Sequence, residues 1–212
     1  PRFEPFVNGL REIYGKADHH LQTEPICLPA KGAHLLPPIS RACRNSGLET
    51  RGELGMPEDA GLGLLTTGGI RGEMACLNRL QEHGDTWFVA PGGCEDGVEF
   101  RGNVILLSHR SGFHHPDLAE ASDFLVGKAG YGTIAEARAA GASFAYVLRE
   151  NFRESSFLGD YLCREKLGFE ISEEEFHTAS WLERIDDLLE ASERLDAKES
   201  GAGEAAVALN RY

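Results

Sequence analysis

The sequence predicts an α/β fold: a doubly wound, parallel, Rossmann-like sheet with strand order 3-2-1-4-5-6. Three observations predict it. Short apolar runs recur from Gly61 onward, as strands buried on both faces require. Helical patterns fall between several of them, the signature of βαβ units with right-handed crossovers. Glycine-bearing loops follow the first and the fourth run, and in that strand order those two strands are neighbours. The chain has 212 residues and is 42% apolar, enough for one domain of ordinary size with residues left over.

Taken in order, residues 8–21 read as a helix with Leu10, Ile13, Tyr14, Ala17 and Leu21 on one side. Pro25, Pro29, Pro37 and Pro38 follow. Prolines at that density resist helix and central strand alike, so this stretch reads as a connector. Residues 46–59 are polar, with room for one or two helical turns. The expected strands are 62–67, 86–90, 104–107, 123–127 and 143–148, with a weaker sixth at 168–171. The expected helices are 73–83, 117–121, 133–140 and 155–166. Residues 170–199 hold eleven acidic and three basic side chains. Trp181, Leu182, Ile185, Leu188, Leu189 and Leu195 fit one stripe of a terminal helix with a solvated acidic face.

Charge and cysteines exclude several classes. The formal net charge is −13, whereas a nucleic-acid binder needs clustered Lys and Arg. The five cysteines, at 27, 43, 76, 94 and 163, form no C-x-x-C pair and suggest free thiols in a reducing cytoplasm. His19-His20 and His114-His115 are adjacent pairs, not helix-spaced ligands, so no metal and no cofactor is expected. No apolar run approaches membrane-spanning length and no signal peptide is evident, which fits a cytoplasmic protein. The chain opens on Pro1, not Met, which fits a piece of something longer.

The chemistry concentrates in Val126-Gly127-Lys128-Ala129-Gly130-Tyr131-Gly132-Thr133-Ile134-Ala135-Glu136-Ala137. A glycine turn feeding a helix leaves unpaired N–H groups at its positive end. Phosphate is the usual guest. Thr133 suits an N-cap or a hydroxyl donor, and Lys128 a point charge. The order of residues is neither a Walker loop nor a G-x-G-x-x-G fingerprint. Glycines also serve tight turns that hold no ligand. Glu136 completes a T-x-x-E capping-box pattern with Thr133. It fits equally a carboxylate at the crevice that accepts hydrogen bonds from a diol.

That stretch, with Ala139-Ala140-Gly141-Ala142 and Leu148-Arg149-Glu150-Asn151-Phe152-Arg153-Glu154 after it, resembles the C-terminal half of a GT-B glycosyltransferase. It looks like the glycosyltransferase-like proteins that include the N-terminal module of plant L-arabinokinase. It is more distantly similar to the peptidoglycan enzyme that adds N-acetylglucosamine to lipid I. The segment His115 to Asp123 also fits the family's approach to the fourth strand. The resemblance covers about residues 37–190. It implies a nucleotide-diphosphate sugar as donor, usually a uridine diphosphate sugar, and no bound metal. Gly68, Gly69, Lys128, Gly130, Tyr131, Gly132 and Thr133 would face the diphosphate. Glu136 would bind the ribose. Phe113, His114 and His115 would lie by the base, and Arg149, Glu150 and Glu154 by the donor sugar.

The chain departs from the family's D-Q or Q-rich motif at Arg149 to Glu154, which leaves the sugar open. The resemblance further implies that residues 1–36 are the remnant of an N-terminal acceptor domain. Residues 37–195 would be the nucleotide-sugar domain and 196–212 a tail. The acceptor, its domain and the catalytic base would lie outside the chain, so the fragment alone is expected to be inactive. Two other readings share the fold: a nucleotide-sugar 2-epimerase and a non-catalytic nucleotide-sugar-binding module.

Overall fold

The computed structural model describes residues 2–57, 59–66 and 76–211. Helix α1 (Glu4–Tyr14) comes first and buries none of its residues. Two short strands, β1 (Leu21–Thr23) and β2 (His34–Leu36), pair in parallel within the stretch expected to be a connector. Proline spares them because β2 ends just before Pro37 and Pro38. Helix α2 (Gly47–Leu54) opens on a capping box. Ser46 accepts from the Glu49 N–H, and the Glu49 side chain accepts from the Ser46 N–H.

The main sheet begins with β3 (Gly61–Thr66). Helix α3 (Leu77–Gln81), β4 (Thr86–Pro91), β5 (Val98–Arg101) and β6 (Val104–Leu107) follow. Then come α4 (His115–Ala121), β7 (Phe124–Lys128), α5 (Tyr131–Ala140), β8 (Ser143–Val147), α6 (Ser155–Glu165) and β9 (Gly168–Glu170). The chain finishes with α7 (Glu173–Thr178), a 3₁₀ turn (Ser180–Arg184), α8 (Ile185–Ser192) and α9 (Ala202–Leu209).

The seven strands run β5-β6-β4-β3-β7-β8-β9. All pair in parallel except β5, an edge hairpin strand antiparallel to β6. Its Val98 and Phe100 are exposed, so no buried apolar run announced it. Alternate strand residues feed two cores, one on each face of the sheet. One face buries Leu62, Leu64, Leu125 and Phe144 against residues of α4, α5 and α6. The other buries Phe88, Phe124 and Val126 against Leu80, Trp181 and Leu188. There Phe88, Phe124 and Trp181 meet edge to face, with ring centroids 6.2–6.4 Å apart. Gly63 makes room for this: a Cβ on it would stand 2.5 Å from the Phe124 ring.

The seam between β3 and β7 is pinned at its start. Arg51 donates to the Ala121 and Ala60 carbonyls and to Asp123 Oδ2, which also accepts from the Leu62 N–H. Gly127 lets the strands close at the other end, since a Cβ there would lie 2.0 Å from the Thr66 carbonyl oxygen.

Two of the expected helices need correcting here. The acidic stretch 170–199 is not one helix stripe. Ala179 is left-handed (φ 55°) and wholly buried, and it breaks the run into α7, the 3₁₀ turn and α8. The first helix begins and ends earlier than expected, with Pro5 in its first turn and Gly15 as its C-cap. Residues 196–212, expected as a tail, include α9. The stretch before it is tied back through Gly201 N–H to Pro38 O and Ser40 N–H to Ser200 Oγ. Among the described residues, no helix is long and apolar enough to cross a membrane.

Candidate functional site

Parallel strands deliver their following loops to one edge of the sheet. At that edge three loops meet: β6–α4, β7–α5 and β8–α6. The middle one is short, Ala129 and Gly130, and it is fixed by the Ala129 N–H on Val147 O at 2.9 Å. Helix α5 then starts at Tyr131, with Gly130 as an N-cap that makes no side-chain cap bond. The first N–H to bond back is that of Ile134, on Gly130 O. Helix geometry therefore leaves the N–H groups of Tyr131, Gly132 and Thr133 without intrahelical partners.

The two glycines here differ from Gly127. Among the described residues, a Cβ on Gly130 or Gly132 would meet nothing within 4 Å. Gly130 is extended (φ −150°), a conformation open to any residue. Neither packing nor backbone asks for glycine at these positions. What they provide is bare, open space over the positive end of a ten-residue helix.

Glu136 lies one and a half turns into α5 and is 6% exposed. The capping box expected with Thr133 does not form. The helix begins three residues too early for it, with Gly130 and not Thr133 as its N-cap, which places Thr133 inside the first turn. The carboxylate turns sideways instead. Its Oε1 accepts from Arg41 Nε at 3.0 Å and Nη2 at 2.9 Å, and its Oε2 accepts from His115 Nδ1 at 2.6 Å. Burial alone would raise the Glu136 pKa. The hydrogen bonds and charges of His115 and Arg41 outweigh it and hold the carboxyl below its ordinary value.

Arg41 was not among the residues the sequence singled out. It belongs to the extended stretch between β2 and α2, which is moored against α4. The Arg44 N–H donates to Asp117 Oδ1 at 2.7 Å, and His114 Nε2 lies 3.1 Å from Ala42 O. Beside Glu136 is a cavity of about 320 Å³ lined in part by Arg41, Cys43, Pro116, Glu120 and Ala139. Burial, then Glu120, pushes the Cys43 thiol up to about 12.

The remaining expected residues divide. His115 reaches Glu136, while His114 faces Ala42 and Phe113 packs on the core. Lys128, at the end of β7, is paired with Glu173 of α7 at 3.3 Å. Tyr131 and Glu154 come together in a second cleft of about 380 Å³, which Arg153, Gln22, Thr23 and residues 25–28 also border. Burial, then the charge and hydrogen bond of Glu154, pushes the Tyr131 hydroxyl up to about 12. Arg149 instead stacks on the Phe152 ring, 4.0 Å from its centroid, and Glu150 points into solvent. Gly68 and Gly69 lie outside the described residues. Among the described residues, no three His, Cys, Asp or Glu side chains are placed to hold a metal ion.

No family model matches the chain. In sequence it is 30% identical over 146 residues to L-arabinokinase of Arabidopsis thaliana, a match that covers 69% of this chain and 14% of that protein. In structure it is similar to MurG of Acinetobacter baumannii, with TM-score 0.54, 12% identity, and coverage of 95% of this chain and 62% of that one. It is also similar to the spinosyn rhamnosyltransferase SpnG complexed with thymidine diphosphate. There the TM-score is 0.52 and the identity 14%, over 80% of this chain and 50% of that one. The chain thus spans less than two thirds of each of these relatives. The described residues carry the Rossmann-like domain of the GT-B glycosyltransferase fold, in a chain whose sequence resembles plant L-arabinokinase.

Proposed function

We propose that this domain binds a nucleoside-diphosphate sugar and serves as the donor half of a glycosyltransferase. One observation carries the reading. Among the described residues, Gly130 and Gly132 leave open space above three N–H groups that have no intrahelical partner, with a buried carboxylate one turn further along the same helix. A diphosphate fits the first feature and a ribose diol the second. The bound thymidine diphosphate of the spinosyn rhamnosyltransferase supports the same ligand class for this fold. Uridine is the base the sequence resemblance favours.

In the assigned roles, the first turn of α5 receives the diphosphate, and Lys128 exchanges Glu173 for it. His115 and Glu136 flank the ribose. The donor sugar extends toward the cleft of Tyr131 and Glu154. In the transfer step an acceptor hydroxyl forms a bond to the anomeric carbon. The bond from that carbon to the diphosphate oxygen breaks, and the diphosphate leaves with the electron pair. The acceptor proton passes to a base of the acceptor domain. Helix-end N–H groups and Lys128 stabilise the charge that develops on the leaving group.

Calorimetric titration with uridine, thymidine and guanosine diphosphates and their sugars tests the reading. A saturable one-to-one site is expected for a pyrimidine nucleoside diphosphate. Gly130→Val should weaken it by about tenfold or more, a loss of at least ~1.4 kcal/mol. Tryptophan fluorescence should meanwhile report an intact core around Trp181. Undiminished binding by a folded Gly130→Val protein would remove the helix end from the site.

A further inference from the structure

The lone pairs of Glu136 are nearly all in use. A carboxylate oxygen has about two acceptor sites. Oε1 spends both on the guanidinium of Arg41, and Oε2 spends one on His115. A single site on Oε2 is left. A vicinal diol donates two hydrogen bonds, so it cannot be received while both present partners stay. One of them must go.

The two partners are not equally held. The His115 side chain is 26% exposed and stands in the first turn of α4, next to the buried Pro116 and Asp117. The Arg41 side chain is 61% exposed and extends from a stretch without regular structure. A guanidinium that is itself largely hydrated regains water at little cost on leaving. It also has somewhere to go. Glu120 lines the same cavity as Arg41 and Glu136, and it offers a second carboxylate.

We propose that Arg41 is a latch on the diol site: it occupies Glu136 in the empty protein and is expelled by the two ribose hydroxyls. The proposal rests on the reading of Glu136 as the ribose contact. The latch answers a physical need, because a carboxylate buried without a partner would be costly. His115 serves Oε2, and Arg41 supplies the partner of Oε1 until the ligand does. It also acts on specificity: a ligand with a single hydroxyl can use the free site on Oε2 without opening the latch, whereas a diol must open it.

The test compares uridine diphosphate with 2′-deoxyuridine diphosphate on the wild-type chain, Arg41→Ala, Arg41→Lys and Glu136→Gln. Arg41→Ala should bind uridine diphosphate roughly two- to fivefold tighter, since no ion pair has to be broken first. Its gain for the deoxy ligand should be less than twofold, and Arg41→Lys should fall between. In the wild-type chain, the Arg41 Nε–H signal should exchange with solvent faster once uridine diphosphate saturates the site. That readout does not depend on any variant folding. If the wild-type chain binds, Glu136→Gln weakens binding, and yet Arg41→Ala binds equally or less well, the latch is overturned while the ribose reading stands. Unchanged exchange at Arg41 in the saturated protein overturns it too. If Glu136→Gln binds as the wild-type chain does, the ribose reading fails and the latch with it.

Discussion

Glu136 carries three hydrogen bonds and a folded-state pKa below its ordinary value. A depressed carboxylate pKa contributes stability that is present above the unfolded value and is lost as pH falls through the folded one. Glu136→Gln is therefore expected to cost about 1.5–3 kcal/mol at pH 7, the range for a hydrogen bond to a charged group. The gap should shrink steadily as pH drops below the ordinary carboxylate value of 4.5. Urea unfolding of both proteins at pH 7 and at pH 3.5 would measure it, and an equal gap at both would deny the pairing. At this scale the sequence was half legible. Glu136 stood out through its spacing from the glycine turn. Arg41 did not, because 95 residues separate it from its partner and nothing local marks it. Of the two readings open for Glu136, the capping box fails for a related reason: the pattern T-x-x-E arises equally when a helix starts three residues earlier, at Tyr131.

Helix α5 joins two demands that pull apart. Glycine inside a helix costs roughly 0.5–1 kcal/mol relative to alanine. Gly132 is helical, exposed and has open space where a Cβ would stand. Gly132→Ala should therefore raise the unfolding free energy by about 0.5–1 kcal/mol while weakening nucleoside diphosphate binding. Thermal unfolding with a parallel titration checks both halves. A variant that gains stability and keeps full affinity would show that the glycine does not serve the ligand. Strands and crossover helices were the legible part at this scale, since each repeats an apolar period over several residues. The edge strand β5 was not, because its side chains face water. The break at Ala179 escaped because alanine gives no sign of a left-handed turn.

Over the whole molecule, the sheet consists of two sets of strands that meet at one seam. On one side are β3 to β6 and on the other β7 to β9. Within each set, neighbours are close in sequence. Across the seam, Gly63 faces Phe124 and Thr66 faces Gly127. The fold class was legible at this scale because the alternation of strand and helix is itself a long-range pattern. The apolar side of α1 is legible in part: Leu10, Ile13 and Tyr14 fall on the expected side and are exposed, whereas Phe6, also exposed, precedes the expected start at residue 8.

That seam has a kinetic consequence. Contacts between residues far apart in sequence are made late, after local units have formed, because chain closure has an entropic cost that local pairs avoid. The two sets of strands can order separately, and the β3–β7 pairing then zips them together. Phe124→Leu removes edge-to-face contacts at the seam and should destabilise by about 1–2 kcal/mol. Most of that change is expected in the unfolding rate and little in the folding rate, which a stopped-flow chevron would separate. A slowed folding limb would place the seam in the nucleus instead. Gly127 and the turn into α5 stand at the end of this same seam. The last pairing to form on refolding is then the one that assembles the crevice, and the appearance of ligand affinity should lag behind the bulk of the secondary structure.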